Sequence, residues 1–144
     1  RCEAAINKKI PQVVSVGACD MVNFGPIETV PKEFSKRNLY KHNPTVTLMR
    51  TSVDENKKIA EKLASKWNKA QIPMTLLLPK KGVSMIDADG QPFDGVEERK
   101  ILFDTLKANI TNELVEIREL DNNINDADFA ETAAKRLIEL IEDK

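Results

Sequence analysis

The sequence predicts an α/β fold, a three-layer, Rossmann-like arrangement in which helices cover both faces of a mainly parallel sheet. Short runs of β-branched and other apolar residues, typical of strands buried on both faces, alternate with stretches of helical period. This alternation implies right-handed crossovers between parallel strands. The chain has 144 residues, 41% of them hydrophobic, so we expect residues 1–144 to form a single α/β domain.

The first predicted elements are a helix end, a strand and a long connection. Residues 1–10, RCEAAINKKI, predict the last turns of a helix whose start is absent, and we therefore expect the chain to be a piece of a larger protein. Residues 12–16, QVVSV, predict a buried strand. Residues 17–44 have no regular pattern apart from one helical turn expected near residues 32–36. A connection of this length is typical of a binding loop.

The next part of the chain predicts a second strand and a helix. Pro44 disfavours helix at the residue before it, so residues 45–50, TVTLMR, are predicted to enter a strand cleanly. Ser52 and Glu55 form a capping-box pattern, which predicts the start of a helix over residues 52–70. Its apolar face comprises Ile59, Ala60, Leu63, Ala64 and Trp67.

The last part predicts strand, helix, strand and helix, over residues 73–79, 96–109, 113–120 and 126–142. The apolar face predicted for the final helix comprises Phe129, Ala133, Leu137 and Ile141. The order of elements thus predicts a sheet of four strands. Because so small a parallel sheet leaves its edges uncovered, we expect further strands from a missing N-terminal part or from a partner subunit, and a homo-oligomer.

Composition excludes several functional classes. A formal net charge of −1 provides no electrostatic footprint for nucleic acid or for an anionic membrane. No apolar run approaches the ~20 residues that a membrane span needs. The two cysteines, Cys2 and Cys19, match no metal-binding or redox spacing, and reduced thiols are typical of the cytosol. We therefore expect a cytoplasmic protein with neither a nucleic acid nor a membrane as partner.

Polar residues follow each predicted strand, where parallel sheets bind their ligands. Loops converge at the carboxyl ends of parallel strands, and the next helices point their N-termini at the ligand. The candidate ligand-binding residues in these segments are Asp20, Asn23, Arg50, Thr51, Ser52, Lys80, Lys81, Gly82, Ser84, Asp87, Asn123, Asn125 and Asp126.

Cations among these candidates favour an anionic ligand. The planar fork of Arg50 suits a carboxylate or a phosphate, whereas Ser52 is explained as well by capping its own helix. Lys80, Lys81 and the flexible Gly82 are placed to cradle a phosphate, although they lack the P-loop spacing and are also compatible with a solvated turn.

Acidic and amide side chains provide candidate oxygen ligands. Asp87, with Asp89 and Asp94, suits Mg²⁺, although turn formation explains Asp89 equally well. Asp20 and Asp126, the latter also a candidate helix cap, are expected near a reversal of strand order with Asp121 and with amides of the same loops. His42, the only histidine, is a candidate acid or base or a structural hydrogen-bonding group. No catalytic triad, zinc pattern or dinucleotide fingerprint is present in the sequence.

Four stretches resemble a known family: GACDMVNFGP (17–26), RNLYKHNPTVTLMRT (37–51), LPKKGVSMIDADGQPF (78–93) and INDADFA (124–130). They are similar to the C-terminal domain of a largely uncharacterised family with bacterial, fungal and plant members, which includes the tomato mosaic virus resistance protein. The resemblance implies an N-terminal domain associated with ATP binding, followed by this α/β domain, and self-association. The family pattern usually has His where this chain has Asn123, and Pro where it has Asp89.

Two functions are compatible with the sequence. The first is binding of a nucleotide or another anionic small ligand at the carboxyl ends of the strands, in a site shared with the missing N-terminal domain, with ATP and Mg²⁺ as candidate cofactors of the full-length protein. An enzymatic form would use Lys80 or Lys81 and Arg50 to neutralise the anion, and Asp20 or Asp87 as base or Mg²⁺ ligand. The second is a protein-interaction module with a vestigial pocket and no catalysis.

Overall fold

A computed structural model describes residues 2–143 and shows an α/β fold. The strands are β1 (Gln12–Ser15), β2 (Met21–Phe24), β3 (Leu39–Asn43), β4 (Val46–Arg50), β5 (Met74–Pro79) and β6 (Val115–Leu120). The helices are α1 (Glu3–Asn7), α2 (Val53–Trp67), α3 (Val96–Asn109) and α4 (Ala127–Glu142), and two short 3₁₀ turns lie at Ile27–Thr29 and Lys32–Phe34.

The main sheet is parallel and has the strand order β1-β5-β6. All six residues of β5 are buried, because this strand is central and covered on both faces. Both crossovers move the chain in the same direction across the sheet, so the right-handed rule places α2 and α3 on one face. They pack there against Leu76 and Leu78 of β5. On the opposite face, α4 contacts β1 and β5, and Arg136 donates from Nε to the Thr75 hydroxyl.

A second sheet is antiparallel and has the order β2-β4-β3. The prediction that residues 45–50 belong to the parallel sheet is therefore wrong, and the parallel sheet has three strands rather than four. The predicted patternless connection contains β2 and β3, the two strands that flank β4. Thr47, Leu48, Met49 and Arg50 are all buried, and such a run looks the same whether its neighbours are parallel or antiparallel.

The remaining elements follow their local sequence signals closely. Ser52 and Glu55 form both hydrogen bonds of the predicted capping box, and the helical turn predicted near residues 32–36 is present as a 3₁₀ turn at Lys32–Phe34. The predicted face of α4 is wrong at one position, since Ile141 is exposed and the neighbouring Leu140 is buried instead. Within residues 2–143, no helix is both long and apolar enough to cross a membrane.

Candidate functional site

Three loops meet at the carboxyl end of the parallel sheet. The backbone N–H of Ala18, after β1, donates to the carbonyl of Val83, after β5, across 3.0 Å. From the loop after β6, Ile124 N–H donates to the carbonyl of Gly82 across 3.0 Å. Lys81 N–H donates in turn to the carbonyl of Asn122 across 2.9 Å. Backbone hydrogen bonds thus connect the three loops and hold them in position around the candidate site.

Gly82 allows these loops to approach closely. It is buried and has a φ of +135°, a conformation that side chains rarely adopt. A Cβ here would lie 2.5 Å from both the Asn123 Nδ2 atom and the Asp87 carbonyl oxygen. The Asn123 amide fills this space, donating to the carbonyl of Ser84 across 3.0 Å. The predicted site residues Gly82 and Asn123 therefore determine the shape of the loops.

A buried ion-pair network lies beneath the loops. Asp87 is fully buried, and its Oδ1 accepts hydrogen bonds from Arg50 across 2.8 Å and from Arg99 across 2.9 Å. Its Oδ2 accepts from the backbone N–H of Val83 across 3.0 Å. Arg99 also pairs with Asp94. Arg50 is only 6% exposed, and its ion pair with Asp87 joins β4 to the loop after β5.

Asp20 is the second fully buried carboxylate. Its Oδ2 accepts a hydrogen bond from the Ser84 hydroxyl across 2.7 Å, whereas its Oδ1 is buried and has no hydrogen-bond partner among the described residues. Burial raises the pKa of Asp20 above its usual value, and the Ser84 hydrogen bond opposes that shift. Burial and the neighbouring Asp20 raise the pKa of Cys19 to about 11, so its thiol stays protonated at neutral pH.

Thr51 and Ser52 hold the start of α2 in place. The Thr51 hydroxyl donates to the carbonyl of Cys19 across 2.8 Å and accepts from the Asn56 amide across 2.9 Å. Ser52 caps α2, and its own N–H donates to Glu55. The Thr51 hydroxyl therefore connects the start of α2 to the loop after β1, whereas the Ser52 hydroxyl caps the helix itself.

A cleft of about 500 Å³ opens at the carboxyl ends of β5 and β6. Lys80 and Lys81 line it, with side chains 50% and 60% exposed. Both face Asp121, at 3.9 Å and 3.2 Å, but an ion pair this exposed is weak and leaves the ammonium groups accessible to another anion. The other lining residues are Ala88, Asp89, Arg99, Asn123 and Asp126.

The N-terminus of α4 borders this cleft at Asp126. Asp126 occupies the N-cap position but makes no side-chain hydrogen bond to the helix. Its Oδ2 accepts instead from the backbone N–H of Asn123 across 2.8 Å. The first turn of α4 therefore has no side-chain cap, and the positive end of the helix dipole lies at the cleft.

The structure brings only part of the predicted set together. Lys80, Lys81, Asn123 and Asp126 share the cleft. Asn23 lines a second pocket, Asn125 lines a third, and Ser84 lines both of these. Asp20, Arg50, Thr51 and Asp87 are buried beneath the loops. The expected reversal of strand order is absent from the described strands, because β1, β5 and β6 follow one another across the sheet.

Arg99 is the cleft residue that sequence reasoning missed. It lies on the first turn of α3 and not directly after a strand, so the strand-end rule does not select it. Its five-residue separation from Asp94, with which it pairs, is no recognised motif. Among residues 2–143, no three His, Cys, Asp or Glu side chains lie in an arrangement that could hold a metal ion, and this includes the suggested Asp87, Asp89 and Asp94.

Comparison with known proteins shows relatives along nearly the whole chain. The chain is 57% identical over 142 residues to a UPF0261 protein of Clostridium tetani, a match that covers 99% of this chain and 35% of that protein. It is 45% identical over 141 residues to the ToMV resistance protein Tm-1(GCR237) of Solanum lycopersicum, covering 97% and 19%. It is 41% identical over 134 residues to a UPF0261 protein of Rhizobium meliloti, covering 92% and 34%.

The matched segment spans about a third or less of the length of these relatives. The family model described as the C-terminal domain of the uncharacterised protein family UPF0261 matches residues 1–141. The chain therefore belongs to the UPF0261 family and corresponds to its C-terminal domain.

Proposed function

We propose that this domain binds a small anionic ligand, a nucleotide or another phosphorylated or carboxylated metabolite, in the cleft beside Lys80 and Lys81. The observation that carries the proposal is the accessible pair of ammonium groups at the carboxyl ends of two parallel strands. Two adjacent lysines act as compact positive charges with rotatable donors, which suits a phosphate group.

The surroundings of the lysines support the same ligand class. The uncapped first turn of α4 adds the positive end of a helix dipole. The cleft also contains Asp89 and Asp126, so its charge is mixed. A ligand with hydroxyl groups as well as an anionic group matches this mixture, because carboxylates accept hydrogen bonds from hydroxyls.

The hydrogen bonds that hold the loop of Lys80 and Lys81 favour a role in ligand binding over that of a solvated turn. The backbone N–H of Lys80 donates to the carbonyl of Leu120 at the end of β6, and that of Lys81 donates to the carbonyl of Asn122 in the loop that follows. The buried Asp87 network supports the lysine-bearing loop from below. A site ordered before the ligand arrives loses less conformational entropy on binding.

In the longer protein, we propose that the N-terminal part completes this site and that copies of the protein self-associate in the cytoplasm. The open and strongly charged cleft suits a second wall from another domain, and β1 and β6 each pair on one side only among the described strands. ATP with Mg²⁺ is then the first nucleotide to test on the longer protein.

A protein-interaction module is the second candidate function. Ile138 and Ile141 are 54% and 55% exposed and lie three residues apart on α4, so they share one apolar stripe. An exposed stripe of this kind favours contact with another macromolecule.

A thermal-shift screen distinguishes the two candidates, because a ligand that binds only the folded state raises its stability. The probes are inorganic pyrophosphate, citrate, and ATP with and without Mg²⁺, applied to this domain and to the longer protein. A rise in the midpoint for both proteins supports a working cleft in this domain, and a rise for the longer protein alone supports a shared site. No rise in either protein contradicts the proposed binding function and favours the interaction module.

A further inference from the structure

An apolar pocket of about 260 Å³ lies away from the lysine cleft, between the antiparallel sheet and the turn after β5. Met21 on β2 and Val46 and Leu48 on β4 supply its sheet side, while Met85 and Ile86 supply the turn. A cavity of about 150 Å³ already accommodates benzene. The pocket therefore has room for one ring that carries a substituent.

Two polar side chains at the pocket are free to interact with a ligand. Neither the Asn23 amide nor the His42 imidazole hydrogen-bonds to another residue within the described chain. The register of β3 against β4 shifts between Lys41 and Asn43, so His42 lies at a β-bulge or a similar irregularity of the strand pairing. Bulges re-aim side chains and are common beside binding sites.

Ser84 determines which hydrogen-bonding group the ligand must carry. Its hydroxyl donates its one hydrogen to Asp20 across 2.7 Å and accepts from the backbone N–H of Asp87 across 3.1 Å. A hydroxyl has one hydrogen and two acceptor positions, so Ser84 retains one acceptor position and no free hydrogen. A ligand that pairs with Ser84 must therefore supply the hydrogen itself.

We propose that this pocket binds a small molecule that has a single apolar ring and a hydroxyl or amino donor, with the donor paired to Ser84. Met21, Leu48 and Met85 contact the ring, and the flexible thioethers adapt to its outline. Asn23 and His42 contact polar substituents at the mouth. The side chain of Met85 is 73% exposed, so the ring can enter without an opening of the core.

Methionine methyl NMR provides an internally controlled test. The chain has four methionines, of which Met21 and Met85 line the pocket, while Met49 and Met74 are 3% and 1% exposed and do not line it. With phenol as the probe, we expect the Met21 and Met85 signals to move to a plateau while the other two stay in place. Anisole has the same ring without the donor, and we expect it to bind about tenfold more weakly.

Two variants link the effect to the pocket. Val46→Phe fills the pocket and should abolish the saturable shifts. Ser84→Ala should bring phenol and anisole to equal affinity, with the Met49 and Met74 signals reporting whether the core is intact. If Ser84→Ala does not fold, the comparison of phenol with anisole on the unaltered protein still tests whether the ligand must supply a hydrogen-bond donor.

Three results would overturn the proposal. The first is a linear drift of all four methionine signals with phenol, which indicates a solvent effect. The second is equal affinity for phenol and anisole. The third is movement of the Met21 and Met85 signals with protein concentration alone, which would mean that a second copy of the chain occupies the pocket.

Discussion

The Arg50 guanidinium donates to Asp87 Oδ1 across 2.8 Å, and the two side chains are only 6% and 0% exposed. This contact joins the antiparallel sheet to the loop that carries the candidate cleft. Asp87 also accepts from Arg99 and from the backbone N–H of Val83, so the pair belongs to a network in which both carboxylate oxygens are hydrogen-bonded. The network forms a rigid support for the cleft, whose exposed cations are the neighbouring lysines.

Arg50→Met should lower the free energy of unfolding by about 3–5 kcal/mol, because it removes one partner of a buried ion pair. Urea unfolding can be followed by the fluorescence of Trp67, the only tryptophan, which is buried. Arg118→Met is the matched control, since Arg118 pairs with Glu116 where both side chains are more than a third exposed, and it should cost at most about 1 kcal/mol. Equal losses in the two variants would contradict a supporting role for the buried pair.

Gly82→Ala should destabilise the domain by at least about 2 kcal/mol, through an unfavourable φ and a clash with the Asp87 backbone. Gly90→Ala is the control, because Gly90 also has a positive φ, +70°, but no atom lies within 4 Å of its added Cβ. We expect the control to cost about 1 kcal/mol. Urea midpoints measure both, and a similar cost at the two positions would show that the loops do not need close approach at Gly82.

The stability of Asp20→Asn should improve relative to that of the unaltered protein as pH rises above 3.8, the ordinary pKa of an aspartate. The pKa of Asp20 is raised by folding, so the folded state binds its proton more tightly than the unfolded state does. Its contribution to stability is therefore present at low pH and is lost as pH rises through the folded pKa. Asn keeps an acceptor for Ser84 without the charge. A stability difference that moves the other way with pH would indicate that the ionised carboxylate is stabilising.

Glu55→Gln should make the folding stability of the domain less dependent on pH in the acid range. The hydrogen bond from Arg37 lowers the pKa of Glu55 to about 2, with further lowering from its interactions with Ser52. Glu55 thus contributes stability above its unfolded pKa, and the contribution is lost as pH falls from about 4.5 towards 2. Because the carboxylate is partly exposed, we expect about 1 kcal/mol at pH 6 and little at pH 2. Urea unfolding at the two pH values tests this, and an equal loss at both would contradict it.

Sequence patterns predicted the elements whose signals are local. Ser52 and Glu55 specify the start of α2 through their reciprocal hydrogen bonds, and the apolar run in β5 matches a strand covered on both faces. The partner of β4 was not predictable in this way, since its burial arises from contacts with strands far apart in the chain. Strand β2 has two exposed residues among four, which leaves no apolar run to recognise.

The sequence allowed the loops of the candidate site to be predicted, but not the roles of their individual side chains. The strand-end rule selected the loops after β1, β5 and β6, and these loops do meet, because parallel strands end at one edge of the sheet. It did not separate Arg50, a buried partner of Asp87, from Lys80, an exposed cation, since both follow or end a strand. That distinction depends on which groups the folded chain places opposite each side chain.

Titration calorimetry of inorganic pyrophosphate at low salt measures anion binding by the lysine cleft. The variant is Lys80→Ala/Lys81→Ala, and the control is Lys57→Ala, which removes an exposed lysine of α2 outside the cleft. We expect saturable binding to the unaltered domain and to the control, with at least a tenfold loss of affinity in the double variant. Equal affinity in all three proteins, or no binding to the unaltered domain, would contradict it.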